Sequence, residues 1–138
     1  APEAVECARA AWAACGATVH EMAPARHDQV FAAVSHLPHL LSFALVHDLA
    51  RRENREEFFR FAASGFRDFT RIAASDAHVW RDIMISNREE LLAQSKIFQR
   101  SLQALELMIS SGNGEALEGM IDQASLTRAN WTMSKNQK

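Results

Sequence analysis

From Val30 to Leu49 the chain reads VFAAVSHLPHLLSFALVHDL, and no other stretch restricts the possible folds so strongly. Wound as a helix, Val30, Phe31, Val34, Leu37, Leu41, Phe43, Leu45, Val46 and Leu49 leave only narrow polar faces. A helix apolar nearly all round must be covered from several sides, so it is expected at the centre of a helical domain and largely buried. Asp28 is placed to cap it, which gives bounds of about Gln29 to Arg51. Pro38 removes one amide donor from its interior and should bend it, bringing His36 and His39 to the bend. His36, Pro38, His39, His47 and Asp48 interrupt the run, so it is not read as a membrane span.

Helical signals continue to the end. Asn54 with Glu57 resembles a capping pair for a helix through Phe58, Phe59 and Phe61 that stops near Ser64-Gly65, with Gly65 as a hinge. A short helix follows over Phe66 to Ala73, and Asp76 can cap another through Trp80, Ile83 and Met84. Asn87 with Glu90 repeats the capping pair and opens a long helix that ends at Gly112-Asn113-Gly114. Leu91, Ser95, Phe98, Leu102, Leu105 and Ile109 lie on it at spacings of 4, 3, 4, 3 and 4, the knob positions of a coiled-coil seam. A last helix spans Glu115 to about Trp131, and the tail Ser134 to Lys138 is polar and expected to fray.

The first 22 residues read differently. Ala4, Val5, Ala8, Ala11, Trp12 and Cys15 give a short amphipathic helix, with Pro2 in its first turn and Gly16 as a left-handed stop. Ala17 to Met22 is the one β-favouring run, closed by Pro24. A lone strand cannot satisfy its own backbone, so residues 1–22 read as the last αβ unit of a sheet that lies mostly upstream. The start at Ala1 instead of Met agrees with that expectation.

At 138 residues and 48% apolar content the chain suits one core. Its 15 Lys+Arg against 17 Asp+Glu give a net charge of -2, without the basic excess that nucleic-acid binding requires. Two cysteines, Cys7 and Cys15, fall in one helix and fit a reducing, cytoplasmic setting better than a disulfide scaffold.

Composition leaves few kinds of chemistry. His36 and His39 are three residues apart with Leu37 and Pro38 between them, whereas the metalloprotease arrangement needs a four-residue spacing around a glutamate; no metal site is expected. Ser35 and Ser64 lack the glycine pattern of a nucleophile elbow. Gly112 and Gly114 follow a helix and not a strand, so no phosphate-cradling loop is expected. Arg71 stands out, because its guanidinium sits among Phe66, Phe69 and Ile72 and matches a carboxylate bidentately. Two readings remain open, an internal ion pair with Asp68 three residues back or a grip on a bound carboxylate.

The run HDQVFAAVSHLPHLLSFAL, followed by SGFRDFTRIAASDAHVWRDI, closely resembles the C-terminal helical domain of prephenate and arogenate dehydrogenases. The resemblance covers about Gly16 to the end, with the last 25 residues generic helix. It implies an all-α dimerisation domain over residues 23–138 that builds a homodimer and one wall of the active site. Residues 1–22 would then be the remnant of an N-terminal dinucleotide-binding domain.

The implied parent enzyme oxidatively decarboxylates prephenate or arogenate with NAD or NADP in tyrosine biosynthesis. Hydride leaves the hydroxyl-bearing carbon, the ring carboxylate departs as carbon dioxide and the ring aromatises. The glycine-rich turn and the catalytic histidine would lie upstream, so this chain alone is expected to bind no cofactor and to be inactive. By similarity Arg71 would hold a substrate carboxylate, Asp68 would orient it, His39 would line the pocket with His27 and His36 nearby, and Trp80 could close it. No membrane or nucleic-acid partner is implied. Two other readings stay open: a helical domain of a different two-domain dehydrogenase, or a free-standing helical dimerisation or regulatory module without catalysis.

Overall fold

A computed structural model describes residues 2–132, and among them every regular element is helical. The chain divides into two compact units, one of residues 23–101 and one of residues 2–22 with 102–132.

In the first unit, α2 spans Pro24–Phe31, a π-helical turn spans Ala32–His36 and α3 spans Leu37–Ala50. The three run without a break. The helix therefore starts five residues before the expected Gln29, because Pro24 takes its first turn, where a missing N–H costs nothing. Asp28 accordingly lies inside α2 and caps nothing; the N-cap is Ala23, without a side-chain hydrogen bond. The disturbance expected at Pro38 is resolved as the π turn just before it, where the Leu37 amide donates to the Ala32 carbonyl five residues back. Opening the helix by one residue relieves the crowding that a proline ring imposes on the carbonyl four residues earlier.

The continuous helix Pro24–Ala50 is long and apolar enough to cross a membrane by length and composition alone. The expectation that it is largely buried is only partly met within one chain. Ala32, Leu37 and Ser42 are buried, but Phe31, Val34 and Leu45 are exposed, because the packed elements cover only some of its sides. Ser42 Oγ is fully buried and has no hydrogen-bond partner among the described residues.

Around this helix lie α4 (Arg55–Phe61), α5 (Ser64–Thr70), a 3₁₀ turn (Arg71–Ala74) and α6 (Ala77–Ser86). α3 packs against α4, α5 and the 3₁₀ turn. α4 ends at Phe61, and the break falls in extended backbone at Ala62 and Ala63, while Gly65 lies inside α5 and is no hinge. Asn54 precedes α4 but makes no side-chain cap. Asp76 does cap: it accepts from the Val79 amide at 2.9 Å.

α7 spans Arg88–Ser110, as its seam predicts. Of the seam residues only Leu91 is buried, at 4% exposure, and Ile109 is 63% exposed. In the second unit the turn after α7 passes through Gly112, whose φ of +65° a side chain would strain, and Asn113 caps α8 (Gly114–Asn130) by accepting from the Ala116 amide. α1 spans Pro2–Ala14 and stops at Gly16, with φ +83°. The strand expected at 17–22 does not form, since those residues have no ladder partner; they are irregular, and Glu21 accepts a hydrogen bond from Arg9. The tail from Ser134 lies outside the described residues.

Candidate functional site

The π turn and the first turn of α3 present two histidines to α6. His39 stacks on Trp80, with ring centroids 3.5 Å apart and planes 19° from parallel. His36 meets the same indole edge-on at 6.2 Å, and Phe43, one turn beyond His39, makes a second edge contact at 6.3 Å. The sequence points to His36, His39 and Trp80, and the fold brings the three together. Phe43 joins them, a residue of the same run to which sequence reasoning assigns no site role, although its position four residues after His39 puts it on the same helix face.

Hydrogen bonds fix both imidazoles. His39 Nδ1 lies 2.9 Å from the Ser35 carbonyl, which can only accept, so Nδ1 carries a proton and donates. His36 Nδ1 instead faces the Asn87 amide nitrogen at 3.1 Å. Burial holds His36 below its ordinary pKa of 6.5; charge on His27 and His39 would lower it further, and Asp28 works in the opposite direction. His27 lies on α2, paired with Asp28 at 3.0 Å and tilted by 31° against Phe31, with ring centroids 4.4 Å apart. The capping pair of Asn87 with Glu90 is replaced by a longer-range arrangement, since the Asn87 side chain is committed to Asp28 and His36.

Beside Trp80 lies a depression of about 390 Å³ lined by Phe43, Ala73, Ser75, Ala77, Arg81 and Met84. Its lining is apolar apart from Ser75 and Arg81, the latter holding Asp82 at 2.8 Å. Arg81 is a further residue that sequence reasoning does not single out, though it directly follows Trp80. A second, polar depression of about 330 Å³ lies at Ala25, Asp28, Asn87 and Glu90.

Arg71 opens the 3₁₀ turn that packs on α3 and leads into the Ala73–Ser75 wall of the apolar depression. It is exposed and forms no ion pair among the described residues. The ion pair with Asp68 does not form: Asp68 takes Arg67, its sequence neighbour, at 3.0 Å, with both side chains exposed. Asp68 is thus committed to Arg67, and Arg71 keeps its guanidinium available.

A model of the family described as "Prephenate dehydrogenase, dimerization domain" matches residues 23–123. Among curated proteins, the prephenate dehydrogenase of Bacillus subtilis (strain 168) is 38% identical over 98 residues, 70% of this chain and 26% of that protein. The cyclohexadienyl dehydrogenase of Zymomonas mobilis is 35% identical over 108 residues, 77% of this chain and 37% of its own. Among solved structures, prephenate dehydrogenase from Aquifex aeolicus, in complex with hydroxyphenyl propionate and NAD+, superposes with a TM-score of 0.87 at 35% identity, over 94% of this chain and 46% of that one. Synechocystis arogenate dehydrogenase gives 0.82 at 27% identity, over 96% and 49%. The chain therefore spans between about a quarter and a half of the length of these relatives. With a family match over most of its residues and these structural neighbours, the chain belongs to the prephenate dehydrogenase dimerization-domain family.

Proposed function

We propose that this chain is the homodimerising, substrate-wall domain of a dehydrogenase that oxidatively decarboxylates prephenate or arogenate. The observation that carries the reading is the assembly of His36, His39 and Trp80 beside an apolar depression, with Arg71 left without a carboxylate partner. A ring that bears two carboxylates needs an apolar surface and a cation, and these residues supply both. Arg71 would hold a substrate carboxylate bidentately, His39 and Trp80 would flank the ring, and His36 and His27 would border it. Asp68, engaged with Arg67, could act on Arg71 only after a rearrangement.

The residues present do not fit a dinucleotide, since no strand, glycine turn and helix succession occurs among those described. NAD or NADP is assigned to the remainder of the parent protein, with residues 1–22 as that domain's edge and 23–138 as the helical domain. That the family match begins at residue 23 supports this division. The helix Pro24–Ala50 is read as a core helix and not a membrane span: Ala32, Leu37 and Ser42 are buried, and His36 is tied to the α6–α7 junction by a hydrogen bond. A cytoplasmic location is supported by Cys7 and Cys15, both free and exposed, and the net charge of -2 favours no polyanion.

The test is Arg71→Ala in the full-length enzyme. Losing a charge-assisted contact should raise KM for the cyclohexadiene by about 2 to 4 kcal/mol equivalent, leave cofactor affinity unchanged and barely move Tm. Unchanged substrate kinetics would remove the carboxylate assignment.

A further inference from the structure

The Asn87 carboxamide links two segments far apart in sequence. Its nitrogen donates to the Asp28 carbonyl at 2.8 Å and to His36 Nδ1 at 3.1 Å. A backbone carbonyl can only accept, so the Asp28 oxygen requires the NH₂ group, and not Oδ1, to face it. The two amide hydrogens are then assigned, one to each acceptor. His36 Nδ1 must offer a lone pair, and a neutral imidazole with a lone pair on Nδ1 carries its proton on Nε2.

We propose that Asn87 is a positioning residue for the substrate pocket: it holds His36 as the neutral Nε2–H tautomer, so that the ring presents an N–H donor to a carboxylate or carbonyl oxygen of substrate bound beside Trp80. The proposal rests on the pocket reading above. His39 is set the opposite way, because its Nδ1–H is spent on the Ser35 carbonyl. A neutral His39 therefore offers a lone pair on Nε2, and the two histidines present one donor and one acceptor.

The surroundings of His36 favour the neutral ring. α2 contributes His27 and Asp28, α3 contributes His39, α6 contributes the uncharged Trp80, and the α6–α7 junction contributes Asn87, followed by Arg88, Glu89 and Glu90. A protonated His36 would set an N–H against the Asn87 NH₂, so geometry and burial act in the same direction.

Nitrogen-detected NMR of the imidazoles in this chain reads the tautomer directly. The Nε2–H form is expected for His36 at neutral pH, and an Nδ1–H form would overturn the proposal whatever the activity. Asn87→Asp exchanges the donor for an acceptor and should invert the tautomer to Nδ1–H; Asn87→Ala should give a mixture, and an unchanged Nε2–H signal in both variants would show that Asn87 does not set it. In the full-length dehydrogenase both variants should raise KM for the cyclohexadiene by about tenfold or more, with KM for the nicotinamide cofactor unmoved. Unchanged kinetics in the Asn87 variants beside an impaired Arg71→Ala enzyme would overturn the positioning role alone. Unchanged kinetics in all three would overturn the pocket reading with it.

Discussion

Residues 23–101 and the unit formed by 2–22 with 102–132 are both helical and both expose apolar side chains, yet only the first buries any of them fully. The first contains Ala32, Leu37, Ser42 and Leu91, the buried residues among those described. The second leaves Trp12 63% and Leu126 64% exposed, with Leu102, Leu107, Ile109, Ile121 and Trp131 also uncovered. Isolated exposed apolar residues are ordinary, but this many on consecutive helical turns form a surface that water penalises. One region builds a partial core from its own chain while still exposing Val34, Phe61 and Ile85; the other buries none of its described residues and supplies a surface for something else to complete. In a dimerization-domain family the proposed complement is a second copy.

The contrast can be broken most forcefully at the seam. Replacing Phe98 and Leu102 together by glutamate should remove about 3 to 6 kcal/mol of association and convert the dimer to a monomer by sedimentation, with helical circular dichroism retained. Loss of the fold along with the dimer would mean that the seam is an internal core, and the two regions would no longer differ in kind.

Leu91 and Ile109 sit on one helix, the former buried and the latter open. Leu91→Ala should cost about 2 to 5 kcal/mol, through lost burial and a residual cavity, and this loss should be the same at every protein concentration. Ile109→Ala should cost less, and its effect should grow as protein concentration falls, because it weakens association instead of folding. Identical concentration dependence in the two variants would erase the distinction.

The smallest effect expected is electrostatic. His36 is held below 6.5 in the folded chain, so above that pH both folded and unfolded chains have a neutral ring and the stabilisation is complete. As pH falls below 6.5 the unfolded chain binds the proton first, and stability declines until the folded value is passed. Tm should therefore drop more between about pH 7.5 and pH 5.5 in the native chain than in His36→Gln. Equal slopes would show that the ring's burial does not couple to folding.

Much of the helical framework is legible in the sequence because the chemistry that sets it is local. Gly16, Asp76 and Gly112-Asn113 act within a few residues of themselves, and each marks a real boundary. The failures share a different cause. Asn87 carries a capping pattern, but its amide goes to partners 59 and 51 residues away, which local pattern cannot register. Pro24 reads as the end of a strand because the same ring that stops one element is suited to begin a helix. The candidate site divides along the same line. His36, His39 and Trp80 are recognisable from two ordered motifs, whereas Arg71 and Asp68, three apart in sequence, suggest a pair that Arg67 pre-empts.

The π turn at Ala32–His36 is a heritable feature of the domain. Such a turn holds one residue more than an α-helix places between the same two ends, as a single-codon insertion would. Deleting one codon there could restore a regular α-helix between the same two ends, so that the flanking helices keep their faces while the residues of the turn itself change theirs. His36, the last residue of the turn, would then lose its present direction, and Asn87 could no longer reach both Asp28 and His36. A lineage could thus gain or lose this side-chain arrangement in one genetic event that leaves every other residue of the domain unchanged.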